Sequence, residues 1–244
     1  MLGLPDGIRG CLFDLDGVLT ETATVHDAAW QEMFDQFLRQ RAAATGQPFV
    51  PFDPKRDYET YLDGKPRAEG TESFLASRGI HLAAGHEDDA PGTQTVYGLG
   101  NAKNEILLRR LRTGGVQPYP GSVRYLRAAR QAGLHRAVVS SSANCQAVLA
   151  AAGIADEFEA RIDGIVAERE HLRGKPAPDT YLAGARALRL PAAAAVVFED
   201  ALAGVEAGRT GRFGFVVGVD RVGQAAALRQ HGADVVVTDL EDLL

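Results

Sequence analysis

The sequence of 244 residues predicts an α/β protein, a doubly wound parallel sheet with a helical segment inserted after its first strand. Short β-branched runs alternate with helical patterns after residue 115, which is typical of strand–helix–strand units around a buried parallel sheet. Between the first apolar run and that region, the apolar residues follow only the period of a helix. We therefore predict an α/β core formed by residues 1–22 and 115–244, and a helical cap domain formed by residues 23–114.

The first strand is predicted at residues 11–16, within the stretch GCLFDLDGVLTET. Its apolar residues indicate a buried strand, yet the strand ends in two carboxylates, Asp14 and Asp16. Side chains two residues apart in a strand lie on the same face, roughly 7 Å apart along the chain. Because two like charges so placed repel each other, we expect a positive charge to be bound beside them.

The inserted segment begins with an amphipathic pattern from Val25 to Leu38, for which we predict Thr24 as the N-cap. A loop is expected from Ala42 to about Pro54, where one glycine and three prolines cluster. Further helical patterns are predicted near 58–62, 71–77 and 102–112, interrupted by the exposed loop HLAAGHEDDAPGTQ. Since no β-rich run separates these patterns, the segment is predicted to be one continuous helical cap.

The rest of the core is predicted to form a Rossmann-like sheet. Strands are expected at 136–142, 194–200, 213–220 and 233–239, with helices at 122–132, 146–152, 180–188 and 223–230. In such a sheet, ligands bind at the carboxyl ends of the strands. The polar residues expected at that edge are Asp14, Asp16, Ser140, Ser141, Ser142, Glu199, Asp200 and Asp220, with Lys175 in a loop rich in glycine and proline.

The acidic residues at this edge predict a divalent metal centre. Up to four carboxylates would meet there, and Mg²⁺ favours carboxylates, waters and a phosphate as ligands. The histidines and cysteines lack the spacing of a zinc site. With the metal bound, one aspartate would be the nucleophile and another the acid and base, while Ser140 and Lys175 would bind phosphoryl oxygens. This set predicts phosphoryl transfer through an aspartyl-phosphate.

Composition excludes several other classes of protein. The formal net charge of −6 argues against a nucleic-acid partner. No stretch is apolar enough to span a membrane, and the N-terminus lacks the layout of a signal peptide, so we expect a cytoplasmic protein with no membrane partner. No P-loop motif occurs, and a phospho-receiver domain would have about half this length. We expect a monomer.

Four motifs together resemble the haloacid dehalogenase superfamily over nearly the whole chain. They are DLDGVLT, VVSSS, GKPAPD and FEDALAGVEAG, in that order. The resemblance implies that Asp14 is the nucleophile and Asp16 the acid and base. It also implies a Mg²⁺ ion held by Asp14, the backbone carbonyl of Asp16, Glu199 and Asp200. Ser140 and Lys175 occupy the phosphate-binding positions of the second and third motifs.

The inserted segment is similar to that of the β-phosphoglucomutase-like subfamily. This resemblance implies that Thr22 is a hinge, that His26 lies near the acid and base, and that Arg67 binds a distal phosphate. The substrate-binding residues that it implies are Thr22, His26, Trp30, Gly64, Lys65, Pro66, Arg67, Lys103, Ser140, Ser141, Asn144 and Lys175. The subfamily has a lysine where this sequence has Ala143. Because the loss of this positive charge weakens a phosphate site, the identity of the sugar substrate is not determined.

Two functions share every core residue. A mutase would convert β-glucose 1-phosphate to glucose 6-phosphate through the 1,6-bisphosphate, whereas a sugar-phosphate phosphatase would transfer the phosphoryl group to water. A mutase also needs a lid and a second phosphate site, which we assign to Arg67 with Lys103. A third alternative is a protein with this fold that binds a sugar phosphate as a sensor and catalyses no reaction. The presence of both Asp14 and Asp16 argues against it. A phosphonate hydrolase would need Lys103 or Lys65 as a Schiff base in an apolar pocket, which the sequence does not indicate.

Overall fold

The computed structural model describes residues 2–62 and 65–244. The chain divides into two compact units, which we call the α/β unit, Met1–Glu21 with Val116–Leu244, and the helical unit, Thr22–Gly115. Each limit of the helical unit lies one residue outside the limit predicted for the cap. That this unit acts as a cap stays a prediction. Within the described ranges, no helix combines the length and the apolarity that crossing a bilayer requires.

The α/β unit is organised around a six-stranded sheet. Its strands are β1 Gly10–Phe13, β2 His135–Val139, β3 Ala160–Ile162, β4 Ala195–Glu199, β5 Phe215–Val219 and β6 Val235–Val237. Their order is β3-β2-β1-β4-β5-β6, and every neighbouring pair is parallel. The chain therefore winds outward in both directions from β1, which confirms the predicted doubly wound fold class. The central strands β1 and β4 are buried at every residue, as expected for strands covered on both faces.

The helices divide between the two units. The helical unit contains α1 Ala23–Thr45, α2 Arg56–Tyr61, α3 Arg67–Ser77 and α4 Val96–Gly114. The α/β unit contains α5 Pro120–Gln131, α6 Cys145–Ala151, α7 Gly164–Arg169, α8 Asp179–Ala187, α9 Leu202–Thr210 and α10 Ala225–His231. Each unit has its own apolar core. In the helical unit this core combines aliphatic side chains with packed aromatic rings, and Phe34 is stacked on Trp30 at 5.3 Å and tilted against Phe74 at 4.1 Å between ring centroids.

The first helix differs from its prediction at both ends. Helix α1 begins at Ala23, two residues before the predicted start, because the carbonyl of Thr22 accepts hydrogen bonds from the amides of Val25 and His26. The predicted N-cap, Thr24, lies inside the first turn, so that prediction is wrong. The expected loop at Ala42 is also wrong, since an alanine-rich turn continues the helix to Thr45.

One strand and two α-helices of the α/β unit were not predicted. They are the edge strand β3 and the helices α7 and α9. Strand β1 is also shorter than predicted and ends at Phe13. Beyond it the carbonyl of Leu15 accepts hydrogen bonds from the amides of Leu19 and Thr20, so the chain turns tightly. Asp16 therefore lies in a turn, and the premise that Asp14 and Asp16 share a strand face is wrong.

Candidate active site

Three carboxylates meet at the carboxyl end of the central strands. Asp14 follows β1 directly, and its amide donates to the carbonyl of Phe198 at 3.0 Å, which continues the pairing with β4. Glu199 is the last residue of β4, and Asp200 comes next. One carboxylate oxygen from each of Asp14, Glu199 and Asp200 lies within 4.8 Å of the other two. The register of two adjacent parallel strands thus builds this cluster.

Lys175 lies between two of these carboxylates. It occupies the loop before α8, its side chain is 2% exposed, and its Nζ contacts the carboxylates of both Asp14 and Glu199. The hydroxyl of Tyr181, on α8, donates to Glu199 Oε1 at 2.9 Å. The structure therefore places Lys175 at the predicted edge of the sheet, where it holds the two acids directly.

The charges in this cluster shift one another's pKa. Burial raises the pKa of Asp14 well above its usual range, Lys175 opposes the shift, and Glu199 and Asp16 add to it. Burial alone would lower the pKa of Lys175, but the charges of Asp14 and Glu199 outweigh it and raise that pKa. Lys175 consequently stays protonated, and one ammonium group faces more than one carboxylate. Negative charge remains after this pairing, which favours a further cation.

The donor set fits a hard divalent cation. The three grouped residues offer only carboxylate oxygens, which Mg²⁺ prefers over nitrogen or sulfur ligands. Asp14, Glu199 and Asp200 are the residues that would hold such an ion. The side chain of Asp16 is not among the three grouped carboxylates. Its backbone carbonyl, which the family resemblance implies as a ligand, stays a prediction.

Two glycines allow the acids to approach the backbone. Gly17 has φ +86°, and a Cβ on it would overlap the carboxylate of Asp200. A Cβ on Gly204, in α9, would overlap the carboxylate of Glu199. Both positions therefore require glycine if the two carboxylates are to keep their places.

The serine run after β2 forms a short hydrogen-bonded loop. Ser140 is buried, and its Oγ accepts a hydrogen bond from the amide of Ser142 at 3.1 Å. Ser142 Oγ in turn accepts from the amide of Asn144 at 3.1 Å. Because the hydroxyl of Ser140 is used as an acceptor, its proton is oriented away from that amide and can donate to a phosphoryl oxygen. Ser141 is half-buried in the same loop, and Asn144 precedes α6.

In the helical unit, three predicted substrate residues come together. Lys103, on α4, is buried, and its Nζ lies 3.0 Å from His26 Nδ1 on α1. The same ammonium lies 4.8 Å above the ring of Trp30, a cation–π contact. Trp30 is also part of the aromatic core, so it packs and contacts a cation at once.

The other predicted residues of the helical unit lie on or beside its helices. Arg67 is the first residue of α3, and its Nη2 donates to Asn101 Oδ1 at 3.3 Å, on the same helix as Lys103. Lys65 Nζ donates to Ser73 Oγ at 3.0 Å. Pro66 precedes α3, and Thr22, which is buried, precedes α1. The predicted Gly64 lies outside the described residues.

A titratable acid next to this group was not predicted. Burial raises the pKa of Asp27 from 3.8 to about 7, Lys103 opposes the shift, and Glu59 adds to it. Since the folded pKa exceeds the unfolded one, this group's contribution to stability is complete below about pH 4 and is lost as the pH rises to about 7.

Asp27→Asn is therefore expected to remove this loss. Between about pH 5 and about pH 8, wild-type protein should lose about 2–3 kcal/mol of unfolding free energy relative to Asp27→Asn, because each pKa unit corresponds to about 1.4 kcal/mol. Urea unfolding at the two pH values measures the difference. Asp88→Asn, at an exposed acid of the same unit, is the matched control. Equal pH dependence in Asp27→Asn and wild type would contradict the prediction.

Comparison with known proteins identifies the family. The fold and the acidic edge define an α/β protein with a candidate divalent-metal centre. A profile described as haloacid dehalogenase-like hydrolase matches residues 8–211. The whole chain aligns over 247 residues, at 56% identity and covering 94% of the relative, with a β-phosphoglucomutase of Mycobacterium bovis. The chain belongs to the haloacid dehalogenase-like hydrolase family, which confirms the resemblance drawn from the four motifs.

Solved structures agree with this membership. A β-phosphoglucomutase from Clostridium difficile is similar with a TM-score of 0.75 at 25% identity, covering 97% of this chain and 93% of that one. CbbY from Rhodobacter sphaeroides, in complex with phosphate, is similar with a TM-score of 0.72 at 25% identity, covering 97% and 96%. Both similarities extend over nearly the full length, and so include both units of the chain.

Some residues of the site had no clear sequence signal. Tyr181 follows the apolar period of α8, so its hydrogen bond to Glu199 was hidden within an ordinary helix pattern. Arg221 and Gln224 donate hydrogen bonds to the backbone carbonyls of Gly17 and Asp200 beside the acidic cluster, but in their loop only Asp220 was predicted to lie at the sheet edge. Both are polar residues within five positions of the end of β5, and that position was their signal in the sequence.

Proposed function

We propose that the protein catalyses the β-phosphoglucomutase reaction, the interconversion of β-glucose 1-phosphate and glucose 6-phosphate through a phosphorylated Asp14. The observation that supports this most strongly is the buried cluster of Asp14, Glu199, Asp200 and Lys175 in a chain so similar, over its whole length, to the Mycobacterium bovis relative. Nucleophile, metal ligands and cation are all provided by one edge of one sheet.

Asp14 and Asp16 would divide the chemistry between them. In the first step, a carboxylate oxygen of Asp14 attacks the phosphorus of the 1-phosphate of the sugar 1,6-bisphosphate, and the bond from that phosphorus to sugar oxygen O1 breaks. Asp16 gives O1 a proton, and glucose 6-phosphate leaves. In the second step, Asp16 takes a proton from the 6-hydroxyl of β-glucose 1-phosphate, which attacks the aspartyl-phosphate and releases Asp14. The 1,6-bisphosphate is thereby regenerated, and its other phosphate is transferred in the next cycle.

The remaining core residues would bind charge. Lys175 holds Asp14 in place, and the Ser140 hydroxyl, whose oxygen already accepts from Ser142, donates to a phosphoryl oxygen. When bound, Mg²⁺ would supply charge neutralisation for the transferring phosphoryl group, held by Asp14, Glu199 and Asp200. The positive charge of the ion would lower the pKa of Asp14, so that its side chain would be an ionised carboxylate and could act as the nucleophile.

The helical unit would distinguish a mutase from a phosphatase. A mutase must bind the phosphate that is not reacting, and we propose that Arg67 and Lys103 provide this second phosphate site. In support, the Nη2 of Arg67 donates to Asn101 Oδ1 on α4, the helix that also contains Lys103. Guanidinium and ammonium groups are suited to phosphate oxygens as a fork and as a point charge.

Arg67→Ala is the variant that tests this assignment. Formation of glucose 6-phosphate is expected to fall about 100-fold, because a bisphosphate that is not held at its distal end is misplaced for transfer. Aspartyl-phosphate formation from acetyl phosphate, which has no distal phosphate, should change less than about 3-fold. A coupled dehydrogenase assay measures the product, mass spectrometry of the intact chain measures the aspartyl-phosphate, and a colorimetric phosphate assay measures transfer to water.

Arg112→Ala, at an exposed arginine near the end of α4, is the matched control and should behave as wild type. Equal small effects of Arg67→Ala on both reactions would remove Arg67 from the second phosphate site. Wild-type protein that releases inorganic phosphate instead of forming glucose 6-phosphate would be a sugar-phosphate phosphatase.

A further inference from the structure

The loop after β5 is held in one conformation by a single carboxylate. Asp220 Oδ1 accepts hydrogen bonds from the amides of Val222 at 3.2 Å, Gly223 at 2.7 Å and Gln224 at 2.8 Å, and Oδ2 accepts from Ala225 at 3.1 Å. This carboxylate is not among the three grouped for a metal. Asp220 was expected at the sheet edge as a candidate site residue. In the structure, its carboxylate instead stabilises the loop 220–225 by accepting these backbone hydrogen bonds.

One side chain of this loop reaches the acidic cluster. Gln224 Nε2 donates to the backbone carbonyl of Asp200 at 3.0 Å. Asp200 directly follows Glu199, the last residue of β4. The amide of Gln224 thus restrains the main chain from which the Asp200 carboxylate projects. A change there would move that oxygen relative to Asp14 and Glu199.

A second side chain of the loop reaches the turn that contains Asp16. Arg221 Nε donates to the carbonyl of Gly17 at 2.8 Å, and Nη1 donates to the carbonyl of Thr238 at 2.7 Å. The guanidinium carbon lies 3.6 Å from the centroid of the Tyr119 ring, which supports it from one face. Arg221 therefore joins Gly17, the residue after Asp16, to the C-terminal segment of the chain.

The same turn is fixed at its other carbonyls. Ser122 Oγ donates to the carbonyl of Val18 at 2.6 Å, and the amide of Tyr119 donates to that of Leu19 at 2.9 Å. Among these donors, only Arg221 comes from the loop that also contacts Asp200. Because Gly17 has no side chain and lies against the Asp200 carboxylate, the turn and that carboxylate must be set relative to each other. The loop 220–225 contacts both the turn, at the carbonyl of Gly17, and the backbone carbonyl of Asp200.

We propose that Arg221 and Gln224 are positioning residues that set Asp200 against the turn of Asp16. The inference rests on the proposed phosphoryl transfer and names a role within it. Gln224 acts through the backbone of Asp200, so it governs the affinity of the acidic cluster for Mg²⁺. Arg221 acts through Gly17, so it governs the step in which Asp16 moves a proton. Neither side chain is assigned a contact with the sugar.

Gln224→Met tests the first part, since methionine has nearly the same shape and no donor. Its dissociation constant for Mg²⁺, measured by isothermal titration calorimetry without substrate, is expected to rise about 10-fold, as when an outer partner of a metal ligand is removed. The KM for sugar phosphate at saturating Mg²⁺ should stay within about 2-fold. Gln230→Met, at an exposed residue of α10, is the matched control and should leave Mg²⁺ binding unchanged.

Arg221→Gln and Arg221→Lys test the second part. At saturating Mg²⁺, Arg221→Gln is expected to lower kcat about 10-fold with KM nearly unchanged. Arg221→Lys, which keeps the positive charge and its N–H donors, should recover part of the loss. Melting temperatures of all variants separate this effect from loss of fold. A lower melting temperature without a change in Mg²⁺ affinity or kcat would overturn the proposal, as would wild-type protein that binds no Mg²⁺.

The outcomes separate this inference from the proposed function. Wild-type protein that acts as a phosphatase, together with weakened Mg²⁺ binding in Gln224→Met, would retain the positioning role and reject the mutase. Mutase activity in wild type, together with unchanged Mg²⁺ binding in Gln224→Met, would retain the mutase and reject the positioning role of Gln224.

Discussion

Asp14→Asn is expected to lower phosphoryl transfer by at least about 10⁴-fold, as removal of a covalent nucleophile does in other enzymes. Asparagine keeps the size of the side chain, but its amide cannot attack phosphorus. The phosphorylated protein should also disappear. Mass spectrometry of the intact chain after brief exposure to acetyl phosphate and Mg²⁺ measures the adduct, and the coupled assay measures turnover.

Asp156→Asn, at an exposed acid of the same unit, controls for the loss of one negative charge and should retain full activity. If Asp14→Asn still formed a phosphate adduct, the nucleophile would be a different residue. Partial activity without an adduct would mean direct transfer between substrates, with no aspartyl-phosphate.

Lys175→Met is expected to destabilise the metal-free protein by about 3–5 kcal/mol, the usual effect of removing one partner from a buried ion pair. Its Nζ is the cation between Asp14 and Glu199, and both acids are buried. Without Lys175, the three clustered carboxylates would lose the positive charge that this residue places between Asp14 and Glu199. Urea denaturation followed by circular dichroism measures the free energy of unfolding.

Two further measurements test whether the loss of stability in Lys175→Met comes from the buried ion pair. Arg173→Met removes an ion pair to Asp179 in which the arginine side chain is 74% exposed, so its effect should stay below about 1 kcal/mol. Added Mg²⁺ should restore part of the stability of Lys175→Met, because binding to the folded state stabilises it. A loss as small as that of Arg173→Met would show that the buried pair contributes little.

The sheet could be predicted well from sequence because its central strands have a strong signal. Strands β1 and β4 are buried at every residue, so their sequences read as continuous apolar runs. Strand β3 has only three residues, one of which is Arg161, whose guanidinium pairs with Asp163. An edge strand so short and so polar has too little apolar pattern to be seen.

Helix α9 was hidden for a reason connected with the site. It contains Gly204 and Gly208, and glycine lowers helix propensity, so the segment does not read as a helix. Gly204 is needed because the carboxylate of Glu199 occupies the space of its Cβ. The residue that weakened the local pattern is thus one that the acidic cluster requires.

The position of Asp16 could not be derived from periodicity. Strand alternation predicted that it would share a face with Asp14, but the pairing with β4 ends at the amide of Asp14, and hydrogen bonds to the carbonyl of Leu15 then close a turn. The donors that fix this turn at Gly17 and Val18 are Arg221 and Ser122, which are distant in sequence. The motifs identified which residues belong to the site, whereas their arrangement depends on contacts that only the folded chain brings together.

The central claim is that phosphoryl groups pass from Asp14 to a sugar hydroxyl and not to water. The most direct test is ³¹P NMR of the protein with Mg²⁺, β-glucose 1-phosphate and a trace of β-glucose 1,6-bisphosphate. We expect the signal of glucose 6-phosphate to replace that of the substrate, with little inorganic phosphate. Steady accumulation of inorganic phosphate in place of glucose 6-phosphate would contradict the claim and identify a phosphatase.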